Sequence, residues 1–393
     1  MKPSVLFLTP EVPYPVAGGG PLRSACLLEY LARRYVVDAV VFHEPRTPAP
    51  EAEFPAGLVR DLLVLELPCH ARHTAARAWR NARRLIERVP PLTDRFSGFG
   101  PQLEQWLRGR RYALAVVEHF WCAGYWEQVA SHSERTILDL HNVESVLHAR
   151  CAAVDRWPSS FAHRAFGRAA VKGEQKWFAN YNLLLVPSEV DAAQVKASAP
   201  EAVVAVYPNT IPTVTVAEKP EEDVIVFSGN MEYHPNTLAV RYFAERIWPG
   251  LRERWPKLVW RLVGKNPEAV RGFLGRDPRI HLTGAVADAT EELASAKVVV
   301  VPLLSGSGTR LKVIEAWASR RAVVSTSLGV EGLPYQHQEN VLVADGATNF
   351  ADAVSHLLAN EEERRRLGQA GRWTYEQQLT WETAWSRLDL LKI

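Results

Sequence analysis

Residues Gly306 to Leu333 read GSGTRLKVIEAWASRRAVVSTSLGVEGL and follow the apolar run Lys297-Val-Val-Val-Val-Pro-Leu-Leu. The order predicts a short buried strand, a glycine-rich turn, and a helix carrying Leu311, Ile314, Ala318 and the acid Glu315. Glycines let backbone N–H groups close on an anion, a helix start contributes about half a positive charge, and Arg310 and Lys312 add full charges. Gly306, Ser307, Gly308, Thr309, Arg310 and Lys312 therefore read as a phosphate cradle. A plain strand-to-helix turn with solvated basic residues is the competing reading of the same stretch. Ala322-Val-Val-Ser-Thr then predicts a second buried strand, ending at a loop over 327–332, with ligand space between the two loops.

Working outward, 393 residues exceed one ordinary core and predict two domains. The balance of 46 basic against 44 acidic residues excludes a chain that binds nucleic acid by bulk charge. Cys26, Cys69, Cys122 and Cys151 lie far apart without CxxC spacing, which argues against a zinc site or a disulfide framework and fits a reducing cytosol. The opening Met1-Lys-Pro-Ser-Val-Leu-Phe-Leu-Thr-Pro is too short in its apolar part for a signal sequence and reads as a first strand. No run approaches the roughly 20 apolar residues of a membrane span.

At the N-terminus, Val5 to Thr9 (strand), Pro10 to Gly20 (loop), Leu22 to Arg33 (helix) and Val36 to Phe42 (strand) open a doubly wound α/β domain. Further strands are expected at Leu62–Leu67, Leu114–Val117, Thr136–Leu140 and Leu183–Val186. Thr213 to Asp223 is polar and aperiodic, a linker. Beyond it Val224-Ile-Val-Phe-Ser-Gly, a helix across Leu238 to Trp255, Leu258-Val-Trp-Arg-Leu-Val-Gly and strands near Ile280 and Val298 repeat the alternation. The expected organisation is two Rossmann-like domains, 1–212 and 213–372, with 373–393 a helix packing back on the first.

Ala17-Gly-Gly-Gly, Asp139-Leu-His-Asn-Val-Glu-Ser, Pro187-Ser-Glu, Pro208-Asn-Thr-Ile, Phe227-Ser-Gly-Asn-Met, Leu262-Val-Gly and the opening motif jointly resemble the group 1 glycosyltransferases, family 4, over nearly the full length. The resemblance implies an α/β GT-B fold, two Rossmann-like domains facing each other across a cleft. It also implies a nucleotide-diphosphate sugar held mainly by the C-terminal domain, an acceptor in the N-terminal domain, and retention of configuration. Carried over by motif, Glu315 binds the ribose hydroxyls and His141 approaches the donor sugar. Gly19 and Gly20 form the loop facing the phosphates, and Asn209 takes the asparagine of a Pro-Asn-Gly turn whose glycine is here Thr210. Gly229 and Asn230 flank the donor, and the base meets backbone near Gly284 and Val286.

Two departures stand out. Many relatives place a second glutamate eight positions before the one aligned with Glu315, where this chain has Ser307. Many also carry an arginine and a lysine after the first strand of the second domain; the local sequence here is Ser228-Gly-Asn230-Met-Glu-Tyr-His-Pro-Asn236. Arg310 and Lys312 are the expected replacements at the leaving diphosphate, with Arg310 favoured for its fork of donors and its place nearer the loop. No Asp-x-Asp pair occurs, which favours a site without metal, and no cofactor beyond the donor is implied. A front-face displacement and a covalent intermediate both stay open. Glu315 has a rival reading as a surface ion pair with Lys312, and His141 one as a structural histidine. His119, after Val116-Val-Glu, is a further strand-end candidate for the acceptor site.

Arg72, Arg77, Arg80, Arg83, Arg84 and Arg88 interleave with Trp79, Leu85, Ile86 and Val89, and Arg80, Arg84 and Arg88 are expected on one helical face. That face fits anionic lipid, a phosphorylated acceptor, or plain solvent; Arg164, Arg168, Lys172 and Lys176 repeat the pattern. The function expected is a cytoplasmic hexosyltransferase at the inner membrane face, acting on a hydroxyl of a glycan or lipid-linked precursor of surface polysaccharide. Ser307 motivates a rival, a non-catalytic nucleotide-sugar or glycan-binding protein. A nicotinamide oxidoreductase is disfavoured, since Gly18-Gly19-Gly20-Pro21 is not GxGxxG and no acid closes the strand Val36 to Phe42.

Overall fold

The computed structural model describes residues 2–393 apart from 17, 46, 70–73, 217–218, 287 and 309. The chain divides into two compact units, Met1–Pro208 with Arg387–Ile393, and Asn209–Ser386.

The first unit is built on β1 (Ser4–Thr9), β2 (Val36–His43), β3 (Asp61–Glu66), β4 (Tyr112–Glu118), β5 (Ser133–Asp139), β6 (Leu183–Val186) and β7 (Val204–Val206). All pairings are parallel, in the order β3-β2-β1-β4-β5-β6-β7. β1 and β6 are buried almost end to end, as continuous apolar strands in parallel sheets are. The second unit repeats the plan with β8 (Glu222–Ser228), β9 (Val259–Val263), β10 (Ile280–Gly284), β11 (Ala296–Val301), β12 (Ala322–Ser325) and β13 (Leu342–Val343), in the order β10-β9-β8-β11-β12-β13. In each unit the strand order reverses between neighbours, β1/β4 and β8/β11. Ligands of open α/β sheets bind beyond the carboxyl ends of such strands.

Several elements differ from the sequence expectation. The helix expected across Leu238 to Trp255 is three pieces, His234–Tyr242, a π-turn Phe243–Ile247, and Trp248–Arg254. Pro249 has no N–H to return to the preceding turn, so the helix widens before it. β8 begins at Glu222, inside the expected linker. The units divide at 208/209 rather than 212/213. The C-terminal segment expected from 373 splits as well. The helix Glu361–Gln378 runs through Trp373 and packs on the second unit, where Arg372 Nη1 donates to the Ala318 carbonyl at 2.6 Å. Only Arg387–Ile393 joins the first unit, where the Tyr30 hydroxyl donates to Asp389 Oδ1 and the Ile393 carbonyl, each at 2.9 Å.

Candidate functional site

In the second unit three strand ends converge through glycines. Gly229 follows β8 with φ 144°, and Gly264 follows β9 with φ 138°. A Cβ on Gly264 would lie 2.0 Å from the Gly229 carbonyl oxygen, so only glycine permits this approach. Gly229 N donates to the Val263 carbonyl (2.9 Å) and Gly264 N to the Gly284 carbonyl (3.0 Å), which ties β8, β9 and β10 together at their carboxyl ends.

β11 leads into the glycine loop and then the helix Leu311–Ala318. Gly306 and Gly308 adopt φ 123° and 74°, and Arg310 Nη1 donates to the Ser307 and Gly308 carbonyls, both at 2.6 Å. Arg310 therefore braces the loop from within. Lys312 reaches the loop after β8: its Nζ donates to Asn236 Oδ1 at 3.2 Å and stands 5.3 Å from the Phe227 ring centroid. Asn236 Nδ2 in turn donates to the Asn230 carbonyl (2.9 Å), and Asn230 Oδ1 accepts from Asn266 Nδ2 (2.9 Å). Asn236 thus holds the ammonium that the helix supplies, and Asn230 and Asn266 extend the amide network behind it. Burial pushes the Lys312 pKa down to about 8, with Arg310 adding to the fall and Glu315 opposing it.

Glu315 accepts from Ser228 Oγ at 3.3 Å, and burial raises its pKa against the opposing pull of Lys312. Among the described residues it forms no ion pair with Lys312, so the surface-pair reading does not hold. Ser307 is buried, and its hydroxyl has no hydrogen-bond partner among the described residues.

In the first unit, β4 ends in Glu118 and β5 in Asp139, and each is followed closely by a histidine. His119 leaves the sheet with φ 63°, an uncommon conformation for a non-glycine residue, and its N–H donates to the Asp139 carbonyl at 2.8 Å. Its ring then lies 3.5 Å from that of His141 and 4.2 Å from that of Trp121, centroid to centroid. Arg23 grips both Asp139 oxygens (2.8 and 2.6 Å) and the Tyr207 carbonyl (2.7 Å), all buried. Glu118 accepts from Ser24 and places Oε1 3.7 Å from His141 Nε2. Burial raises the Glu118 pKa to about 7 and lowers that of His141 to about 3, with Arg23 adding to the latter shift. His119 is also pushed well below its ordinary value, by burial first and by His141 second. Ligand atoms of Glu118, Asp139 and His141 lie within 4.8 Å of one another, a spacing that could hold a metal. The Arg23 guanidinium already supplies the cation there.

The sequence candidates fall into these two groups. Gly229, Asn230, Gly284, Gly306, Ser307, Gly308, Arg310, Lys312 and Glu315 surround the ends of β8, β10 and β11. Val286 is half-buried two residues past β10, and Asn209, which begins the second unit, is buried. His119 and His141 meet in the first unit. Gly19 and Gly20 are not loop residues: Gly18, at φ 104°, absorbs the turn, and the helix Gly19–Arg34 starts directly after it. A Cβ on Gly20 would approach Glu11 Oε2 to 2.6 Å and His119 Nε2 to 3.9 Å. Thr309 lies outside the described residues, as do Arg72 and the side chain of Arg77.

Arg80, Arg84 and Arg88 do not share one exposed helical face. The helix Thr74–Glu87 stops before Arg88, whose φ of 56° turns it off the helix. Arg84 is buried with Nε 2.7 Å from Asp94 Oδ2, so it is a tertiary anchor, whereas Arg80 is half-buried. Arg23, Glu118, Trp121 and Glu144 are the residues that sequence reasoning passed over. Glu118 carried one signal, an acid ending an apolar strand directly before His119.

Residues 222–360 match the family model described as glycosyl transferases group 1. One curated relative, an uncharacterized 44.6 kDa protein in the cps region of Klebsiella pneumoniae, is 24% identical over 144 residues, which covers 35% of this chain and 37% of the relative. Among solved structures, sucrose-phosphate synthase from Thermosynechococcus elongatus superposes with a TM-score of 0.75 at 17% identity, over 99% of this chain and 98% of that one. Anabaena Alr3699/HepE, solved with UDP and glucose, gives 0.68 at 13% identity over 99% of both chains. TarM from S. aureus gives 0.69 at 10% identity, over 100% of this chain and 98% of that one. The chain has the GT-B fold, and its residues 222–360 are similar to the group 1 glycosyl transferases.

Proposed function

We propose that the protein is a glycosyltransferase of the group 1 type, family 4, that moves a hexose from a nucleotide-diphosphate sugar to a hydroxyl acceptor with retention of configuration. The observation that carries this reading is the convergence of Lys312, Glu315 and the Ser228–Asn236 loop at the carboxyl end of β8, inside the segment matched by the family model. There Glu315 receives the ribose hydroxyls, and Lys312 with the backbone N–H groups of the glycine loop stabilises the departing diphosphate. Ammonium and helix terminus together meet the charge requirement without a metal. His141, neutral at physiological pH, offers the donor sugar a hydrogen-bonding imidazole. The solved neighbour held with UDP and glucose supports a uridine donor.

The relative in a cps region supports surface polysaccharide as the product, with a glycan or lipid-linked precursor as acceptor. Contact with the inner face of a membrane is supported by Trp79 and Ile86, which are 69% and 81% exposed on a helix rich in arginine. Among the described residues no helix is long and apolar enough to cross a membrane. Ser307, standing where many group 1 relatives carry a glutamate, favours a second reading, a nucleotide-sugar- or glycan-binding protein without turnover.

A thermal-shift screen of nucleoside diphosphates tests the binding half of both readings. A cognate nucleotide at a hundred times its dissociation constant stabilises by about 2.7 kcal/mol. Absence of any shift across the common bases, with and without magnesium, would overturn both.

A further inference from the structure

Next to the histidine pair the first unit holds a cavity of about 400 Å³, walled by chain segments 88–100, 120–128 and 169–177. Its size is that of a small-ligand pocket, and its walls are mainly apolar, with Phe96, Phe120, Trp121, Tyr125 and Trp177 among small residues and glycines. Trp121 is the shared wall. One neighbour of its ring is His119, 4.2 Å away, and His119 in turn contacts His141. The Trp121 N–H donates to Glu144 Oε2 at 3.3 Å, which fixes the indole plane.

Two polar groups on the cavity stand out against this lining. The buried Thr93 hydroxyl has no hydrogen-bond partner among the described residues. The Arg88 side chain, exposed at the rim, forms no hydrogen bond or ion pair there either, whereas its neighbours Arg83 and Arg84 are both engaged by Asp94. Ile86, 81% exposed, and Leu92, 39% exposed, flank the rim residues in sequence. Apart from Arg88, Thr93, Ser97 and Gln128 the lining side chains are apolar, so a glycan would meet few hydrogen-bond partners for its many hydroxyls. A hydrocarbon chain would meet mainly apolar side chains, and an anion at its end would meet the Arg88 guanidinium.

We propose that this cavity binds the hydrocarbon segment of a lipid-phosphate acceptor, with Arg88 taking the phosphate and Thr93 a phosphate or ester oxygen. Calling that ligand an acceptor rests on the transferase reading; its binding does not. The common wall at Trp121 places the lipid beside the histidines and makes the cavity the determinant of acceptor class.

The test is calorimetric titration of the full chain with butyl, hexyl, octyl and decyl phosphate below their micelle concentrations, with the matching alcohols, and with inorganic phosphate. Affinity should rise about fourfold per added methylene until the cavity is full, and inorganic phosphate alone should bind far more weakly than octyl phosphate. Gly124→Leu projects into the cavity from a site where a Cβ meets only the Trp177 ring, at 3.6 Å, and should flatten the chain-length dependence. Arg88→Gln, at an exposed position, should weaken the phosphates about tenfold and leave the alcohols unchanged. Affinity independent of chain length in the wild type, or an octyl phosphate affinity no better than that of inorganic phosphate, overturns the proposal. Should Gly124→Leu not fold, the chain-length series and Arg88→Gln still decide. Nucleoside diphosphate binding measured on the same samples keeps the two readings apart. If nucleotide binds without chain-length dependence, the lipid cavity alone fails; if alkyl phosphates bind without nucleotide, the transferase reading fails.

Discussion

The rings of His119 and His141 lie 3.5 Å apart, centroid to centroid, although the two residues follow different strands, β4 and β5. Two buried imidazoles at that separation cannot both carry charge, and burial depresses both pKa values, that of His141 to about 3. The pair is therefore an uncharged platform, backed by the Arg23–Asp139 ion pair and by Glu118. A neutral His141 can hydrogen-bond a sugar without bringing a buried positive charge against the nearby guanidinium.

The depressed His141 pKa makes stability depend on pH. The unfolded chain takes a proton on this imidazole below its ordinary value of 6.5, while the folded chain refuses it until about 3. Stability from this residue is thus complete above pH 6.5 and lost progressively as pH falls. Glu118, raised to about 7, acts in the opposite sense, with stability lost as pH rises from 4.5 toward 7. His141→Gln should accordingly reduce the loss of unfolding free energy between pH 7 and pH 5 by on the order of 1–2 kcal/mol. Denaturant titrations at the two pH values measure it; identical losses in variant and wild type would contradict the buried neutral imidazole.

Lys312, with its pKa near 8, leads to a pH dependence of binding. A diphosphate favours the ammonium, so affinity should fall as pH rises through about 8, with proton uptake on binding near that pH. Calorimetry in two buffers of different ionisation enthalpy reads the uptake directly. Lys312→Ala should remove it and lower turnover about 10²–10³-fold, the scale of one preorganised donor. Arg310→Ala, which unbraces the loop, should lower the melting temperature as well as turnover. Added magnesium should rescue neither variant.

Glu315→Gln keeps a group that can bond Ser228 and the ribose while removing the charge. Affinity for both nucleotide-sugar and free nucleoside diphosphate should weaken by about 1–2 kcal/mol, the difference between a charged and a neutral acceptor. Equal affinities in variant and wild type, measured by calorimetry, would take Glu315 out of the site.

Gly264→Ala drives a methyl group against the Gly229 carbonyl, at a φ where side chains are strained. The cost should be about 3 kcal/mol or more, because neither backbone can retreat without breaking the joined strand ends. Differential scanning calorimetry checks it, and a melting temperature within a degree of wild type would be incompatible with the observed approach.

Both sheets are legible in the sequence because their strands are continuous apolar runs: Leu183–Val186 and Val298–Val301 need no partner information to be recognised. The glycine loop and Glu315 are legible because their chemistry is local, packed into ten residues. Arg23 is not. It reads as one more polar residue on an apolar helix, and its partner Asp139 is 116 positions away. Arg84 misleads for the same reason, since Asp94 arrives from the next helix and buries it. β13 is missed because two residues carry no periodicity.

The most direct measurement is release of nucleoside diphosphate from a panel of nucleotide-diphosphate hexoses, without acceptor and then with octyl phosphate or a monosaccharide acceptor, for wild type, His141→Ala and Lys312→Ala. The transferase account predicts slow release by the wild type from at least one donor, accelerated by acceptor. It predicts loss of release in both variants, with nucleotide affinity nearly intact in His141→Ala. Tight nucleotide binding with no release from any donor, with or without acceptor, would contradict it and leave a binding protein instead.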